Sequence, residues 1–324
     1  MNWTAVFGPD AWVPLLNGGV RLAMPIALAA SGLAYVQRAG LLNLSVDGVM
    51  MMGALGSFLG AYATGSPWIG IAAGIAAGML ISMSEALLVV TLRLPQVVSG
   101  IALFILGHGL AVFLYRMIFG VTSSPPTIDG LGVVSIPVLS SIPWIGPVLF
   151  AQNPVVYLGL ALAVVVWWLL EKTTVGLAAR ASGELPRALY ASGGSVAATR
   201  WLAFAISGAM AGLAGAILVV TELKIFGPNL TAGRGWIALA LVIFARWKPL
   251  WVVAGALLFG VIDSFQLRIQ SASGGISSEV PYEFFQALPY LVTILAMWLS
   301  AARADRSYWP TALGDPYRKE DQHS

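Results

Sequence analysis

Apolar residues in this chain run in long blocks separated by polar breaks. At about 20 apolar residues for each bilayer crossing, nine blocks qualify as spans: 14–36, 41–63, 67–92, 95–119, 153–171, 200–221, 229–245, 249–269 and 283–302. The seventh is the weakest, because Gly227, Pro228, Gly233 and Gly235 leave it only a short regular helix, broken or steeply tilted. Five prolines between 120 and 152 predict a cap with little regular structure, in which 136–150 is an interfacial segment rather than a tenth span.

One polar interruption stands apart. Residues 171–200 carry Lys172, Arg180, Arg187 and Arg200 against Glu171 and Glu184. Within them Pro186 suits the first position of a helix and Gly193-Gly194 its end. A helix over 186–192 has only about two turns, well below the roughly 12–15 residues at which an isolated helix becomes marginal in water. It must dock on something, either the chain's own bundle or another protein.

Composition agrees with the block pattern. The chain has 324 residues, 58% hydrophobic and 10% charged, where a soluble domain carries about 25% charge. The predicted fold class is therefore an all-α polytopic membrane protein, a single transmembrane domain over 1–324 with about nine helices. The net charge of +3 does not imply nucleic acid, because the basic residues sit between apolar blocks, where the positive-inside rule accounts for them. If 171–200 is cytoplasmic, then so are Arg38, Arg93, Arg246, Lys248, Arg303, Arg306, Arg318 and Lys319, which puts 12 of the 17 basic residues inside. Arg21, Arg116, Lys224, Arg234 and Arg268 are the other five. No Lys or Arg occurs from 119 to 170, as expected for an external segment. The expected arrangement has the N-terminus outside, an external cap at 120–152 and a cytoplasmic tail at 303–324.

Cysteine is absent, which excludes disulfides and thiolate ligands in this chain. There is no GxxxxGK[ST] phosphate loop, no HExxH, no GxSxG and no paired catalytic carboxylates. The chain is expected to be neither an enzyme nor its own Walker-type motor. Only His108 and His323 could supply imidazole, and Glu85, His108, Asp263 and Gln266 show no relay spacing with one another.

Some polar residues fall inside apolar blocks, where they are costly and face a polar interior. Asn43 and Asp47 stand four apart at the start of the second block, hence on one helix face. They read either as a polar lining of a pathway or as a helix-start motif, Asn43 capping and Asp47 near the positive helix end. Asp263 and Gln266, at i,i+3, would line a polar cavity with Gln270. Glu85 and His108 are isolated. Gly70, Gly74 and Gly78, with Gly56, Gly60, Gly208, Gly212 and Gly215, form small-residue faces for close helix packing. Trp3, Trp12, Trp68, Trp144, Trp247, Trp251 and Trp309 fall near span ends, as interfacial anchors do.

Four stretches carry a family resemblance: RAGLLNLSVDGVMMMGA (38–54), LPQVVSGIAL (94–103), ARASGELPRALYASG (179–193) with SGAMAGLAGA (207–216), and TAGRGWIALALVIFARWKPL (231–250) with GALLFGVIDSFQLRIQ (255–270). The tail ALGDPYRKE (312–320) fits too. The chain resembles a permease subunit of bacterial ATP-binding cassette (ABC) importers, in the branched-chain amino acid/simple-sugar permease superfamily. Within it the chain looks most like nucleoside permeases that work with a basic-membrane-protein-type binding lipoprotein. The family more often has Asn-Ile-Gly-x-Glu-Gly where this chain has Asn43-Leu-Ser-Val-Asp47-Gly48, and the EAA-x3-G spacing of coupling loops is looser here, with Glu184 and Gly193 nine apart.

The resemblance implies that the short helix at 186–192 is a coupling helix seated in a cytoplasmic ATPase, with Arg180, Glu184, Arg187 and Tyr190 as contacts. It also implies a second homologous permease, as a heterodimer, and an external binding lipoprotein. ATP and magnesium would be used by the ATPase, and this chain would carry no cofactor. Asn43, Asp47, Asp263 and Gln266 are then candidates for the translocation path of a nucleoside or simple sugar. The alternative is an ion-coupled secondary transporter, which would show inverted repeats and broken helices.

Overall fold

The computed structural model describes residues 11–121, 124–137, 139–272, 287, 291, 294 and 310–314. The ninth expected span, 283–302, and the tail outside 310–314 lie outside the described residues, as do Trp3, Trp309 and His323. Among the described residues seven helices are long and apolar enough to cross a membrane. They are α1 (Trp12–Arg38), α2 (Val46–Thr64), α3 (Pro67–Ala86), α4 (Gln96–Phe119), α6 (Pro154–Lys172), α9 (Val196–Ile217) and α11 (Pro249–Ala272). A wider π-type turn extends α3 (Leu87–Thr91) and another extends α9 (Leu218–Leu223). Pro67, Pro154 and Pro186 each open a helix, where the missing N–H costs nothing. Asn153 and Ser195 cap α6 and α9 by accepting the N–H of Val155 at 3.2 Å and of Ala198 at 3.2 Å.

The seventh expected span is α10 (Arg234–Phe244), and its 11 residues reach only about 16 Å, half the roughly 30 Å of hydrocarbon. The backbone ahead of it is left-handed at Ala232 (φ 47°) and Gly233 (φ 73°), so regular helix begins only at Arg234.

α1 is the central helix, 94% of its apolar window being buried, and it packs against α6, α9, α10 and α11. α2, α3 and α9 form a second close-packed group. The glycines permit it: a Cβ on Gly53 would sit 2.6 Å from Gly212 Cα, and one on Gly78 would sit 2.5 Å from the same atom. Backbones this close gain dispersion contacts that side chains would prevent. The outer faces of α4 and α11 are largely exposed.

The segment 120–152 holds little regular structure. A two-residue antiparallel pair, β1 (Val134–Ser135) with β2 (Ala151–Gln152), brackets a single 3-10 turn (Leu139–Ser141) and one short α-helix, α5 (Ile145–Leu149). Asn17 of α1 binds it by donating to Pro147 O at 2.5 Å, and Gln152 donates back to Asn17 O at 3.1 Å.

One sequence expectation is corrected and another extended. Trp247 is no interfacial anchor: it is 1% exposed, and its indole N–H donates to Gln37 Oε1 at 2.7 Å. Trp68, Trp144 and Trp251 do remain exposed. The polar island 171–200 is more helical than expected: besides the expected helix, α8 (Pro186–Ala191), it holds α7 (Thr174–Glu184), the end of α6 and the start of α9. α7 is started by Thr173, whose hydroxyl accepts the Gly176 N–H at 3.1 Å.

Candidate functional site

α8 has the bounds its sequence dictates. Pro186 opens it, and Gly193 closes it in the left-handed region at φ 86°. The Gly193 and Gly194 N–H groups donate to Tyr190 O and Leu189 O, both at 2.9 Å, which satisfies carbonyls the helix end would otherwise leave bare. Leu189 is buried, while Leu185, Arg187 and Tyr190 are exposed. One side chain thus anchors the helix and the opposite face is open. Of the other two expected contacts, Arg180 lies 3.4 Å from Glu171, and Glu184 lies 3.9 Å from Arg38.

The end of α7, which leads into α8, is tied to the α1–α2 turn. Ser182 Oγ donates to Ala39 O at 3.1 Å. Gly40 is left-handed (φ 85°), and a Cβ there would meet Gly183 Cα at 3.1 Å. Residues 310–314 lie across this junction as a strap. Ala312 N–H donates to Gly183 O at 2.9 Å, Gly314 N–H to Gly40 O at 3.3 Å, and the Thr311 hydroxyl to Glu184 O. No local sequence signal marks this contact.

Beyond the turn lies a buried polar network. Asn43 precedes α2 rather than belonging to it, so it shares no helix face with Asp47 and is not the N-cap, which is Ser45. Its Oδ1 accepts the N–H and the hydroxyl of Ser45, both at 3.1 Å, and its Nδ2 donates to Ser207 on α9 at 3.2 Å. Ser45 Oγ also lies 2.6 Å from Glu85 Oε2, so its one hydroxyl proton is shared between Asn43 and Glu85. Asp47 accepts the Gly235 N–H at 2.9 Å and the Thr231 hydroxyl at 3.0 Å. Asn43, Asp47 and Glu85 are 1%, 3% and 0% exposed, and they bond to neighbouring segments of the chain except at Glu85 Oε1, which has no hydrogen-bond partner.

Charge pairs lie alongside. Arg234, one residue before Gly235, stands 3.6 Å from Asp263 on α11. Arg21 on α1 stands 2.9 Å from Glu222 in the π-type turn of α9. Asp263 is therefore linked through Arg234 to the segment that Asp47 holds. Gln266 lies about one turn further along α11 and is partly exposed. His108 packs on Phe104, which meets Trp236 edge-on at 5.3 Å. Sequence reading counted Arg21 and Arg234 only as basic residues and passed over Glu222. An ionisable residue inside an apolar block (Arg21, Arg234) or at its very end (Glu222) was the available signal.

Comparison with known proteins places this geometry. Residues 15–297 match the family described as branched-chain amino acid transport system / permease component. The chain is 36% identical to the putative glucose ABC transporter permease protein TsgC13 of Haloferax volcanii, over 94% of this chain and 98% of that one. It is 34% identical to the guanosine ABC transporter permease protein NupQ of Bacillus subtilis (92% and 94%). It is 32% identical to the nucleoside ABC transporter permease protein NupC of Lactococcus lactis subsp. cremoris (86% and 90%). No solved structure matches. Nothing among these relatives supports the ion-coupled alternative. An all-α bundle of membrane-length helices, matched over nearly its whole length by transport permeases, belongs to the branched-chain amino acid transport system / permease component family and is a membrane-spanning permease subunit of an ABC transporter.

Proposed function

We infer that this chain is the permease of an importer that carries a nucleoside or a simple sugar, delivered by an external binding lipoprotein and driven by a separate cytoplasmic ATPase. The observation that carries the reading is α8: a helix of six residues, too short to stand alone, held from behind by Leu189 and offering Arg187 and Tyr190 outward. Closure of the ATPase would push on that face. The strap and the Gly40–Gly183 contact would pass the movement to α1 and α2. Arg180 and Glu184 flank the same surface.

The substrate class follows the relatives, one described as carrying guanosine, one a nucleoside and one glucose. The basic residues favour a cytoplasmic 171–200 and an external N-terminus in a bacterial cytoplasmic (inner) membrane. A second, homologous permease completes the pathway as a heterodimer, with Asn43, Asp47, Asp263 and Gln266 on or behind its lining. No nucleic acid takes part, and ATP and magnesium stay with the ATPase.

Arg187→Glu tests the coupling role. The variant is expected to fold and insert normally but to lose ATPase co-purification, or to hydrolyse ATP without uptake. Uptake and ATPase recovery equal to wild type would overturn the assignment.

A further inference from the structure

Arg21 sits nine residues beyond the start of α1, about 14 Å along the helix axis, in the most enclosed helix of the bundle. Its side chain nevertheless keeps 38% of its exposure. It opens onto a cavity of about 520 Å³ between α1, the π-type turn of α9 and α11, with Glu222, Ser264, Arg268, Leu15 and Leu267 around it. That volume lies within the roughly 300–1,000 Å³ of small-molecule sites, and polar groups set among apolar walls are typical of them.

The hydrogen-bonding capacity of the walls is unevenly spent. Ser264 donates its hydroxyl to Leu15 O at 2.8 Å, and Arg268 donates to Ala11 O at 2.7 Å, so both serve helix packing. Arg21 approaches Glu222 through a single pair of atoms, Nε and Oε1, and the same Oε1 takes the Thr221 hydroxyl at 3.2 Å. A guanidinium has five N–H donors and a carboxylate about four acceptor positions. Arg21 Nε, though close to Glu222, is a buried donor with no hydrogen bond of good geometry, and among the described residues no hydrogen bond reaches the two Nη groups of Arg21 or Oε2 of Glu222. A donor fork thus stands beside an acceptor oxygen, and their charges largely cancel.

That arrangement matches one chemical group. In a vicinal diol each hydroxyl both donates and accepts, so one can give its proton to Glu222 while both oxygens accept from Arg21. Arg268 on the same wall leaves the cavity one cation in excess, so it is the acceptor oxygen of Glu222, and not net charge, that selects a hydroxyl over a fixed anion. We propose that the Arg21–Glu222 pair is a solute-contact site that takes the vicinal diol of a neutral ribosyl or pyranosyl group in this cavity. The proposal rests on the nucleoside-or-sugar reading above, since those two classes share the diol.

The test uses the whole transporter in proteoliposomes, with one binding protein throughout. Initial uptake is measured for guanosine against 2′-deoxyguanosine and for D-glucose against 2-deoxy-D-glucose. Each pair differs by one hydroxyl of the diol, and whichever pair wild type carries identifies the source. Glu222→Gln and Arg21→Lys should lower the maximal rate for the diol-bearing solute about tenfold, the usual effect of losing a charge-assisted hydrogen bond. The deoxy analogue should fall less than about threefold, moving the ratio toward one. Because the binding protein is unchanged, a shifted ratio reports on the permease. Arg21→Lys keeps the cation and guards against simple misfolding, and assembly is checked by co-elution of all subunits. If both variants keep the wild-type ratio, whatever happens to total uptake, the pair is structural and the site proposal fails while the substrate reading stands. If wild type moves neither pair, the substrate reading fails and takes the site with it.

Discussion

Asp47, in the first turn of α2, accepts the backbone N–H of Gly235 in the first turn of α10 at 2.9 Å. A carboxylate on one helix therefore caps another. The contact requires glycine, because a Cβ at 235 would lie 2.6 Å from Asp47 Cα. α10 follows a left-handed Gly233 and has no side-chain cap of its own, so Asp47 supplies the acceptor its start lacks. The same carboxylate holds Thr231, and Arg234 between them reaches Asp263.

Asp47→Ala should therefore cost about 1–3 kcal/mol, the penalty for leaving buried donors unpaired. Asp47→Asn should cost less than half of that, since its amide oxygen can still take the Gly235 N–H. Thermal unfolding of the purified chain in detergent measures both. Equal stability of the alanine variant and wild type would contradict the capping role.

The glycine contacts make a sharper contrast. Gly53→Ala places a methyl against Gly212 Cα and O at 2.6 and 2.5 Å, both backbone atoms, and should destabilise by about 1–3 kcal/mol through overpacking. Gly109 on α4 has nothing within 4 Å of its Cβ position, so Gly109→Ala should be neutral or stabilising by up to about 1 kcal/mol. Paired melting curves decide this. A loss at 109 equal to that at 53 would mean that space does not govern the difference.

On α8, neighbouring residues should separate two properties. Leu189→Ala removes the buried anchor and should lower stability by about 2–3 kcal/mol. Tyr190→Ala leaves the fold unchanged and should weaken ATPase association about tenfold or more, in the range of an exposed aromatic contact. Melting and ATPase pull-down are read on both variants, and the reading of the helix is wrong if the two effects exchange places.

The strap carries its own prediction. Ala312→Pro deletes the N–H that reaches Gly183, and Thr311→Val deletes the hydroxyl that reaches Glu184. Each loss is worth about 1 kcal/mol, near fivefold in the equilibrium that positions α8. Solute moved per ATP hydrolysed should fall by about that factor, with the bundle's unfolding temperature unchanged. Normal coupling in the double variant would make the strap dispensable.

The sequence by itself determined what depends on local chemistry. Apolar length marked the spans, Pro186 and Gly193 bounded α8, and collinear motifs identified the family, because span length, a proline's missing N–H and a glycine's positive φ act within a few residues. The shortness of α10 was half legible, through Gly227, Pro228, Gly233 and Gly235. The destinations of the buried polar groups were not. Asn43 and Asp47 looked like partners at helical spacing, yet Asn43 precedes the helix and turns to Ser207 while Asp47 turns to Gly235. Trp247 looked like an anchor and is a core residue bonded to Gln37. Arg21 and Glu222 carried no mutual signal, being on α1 and at the far end of α9. Only the packed bundle decides such pairs, because inside a membrane a polar atom must find its partner wherever the fold brings one within about 3 Å.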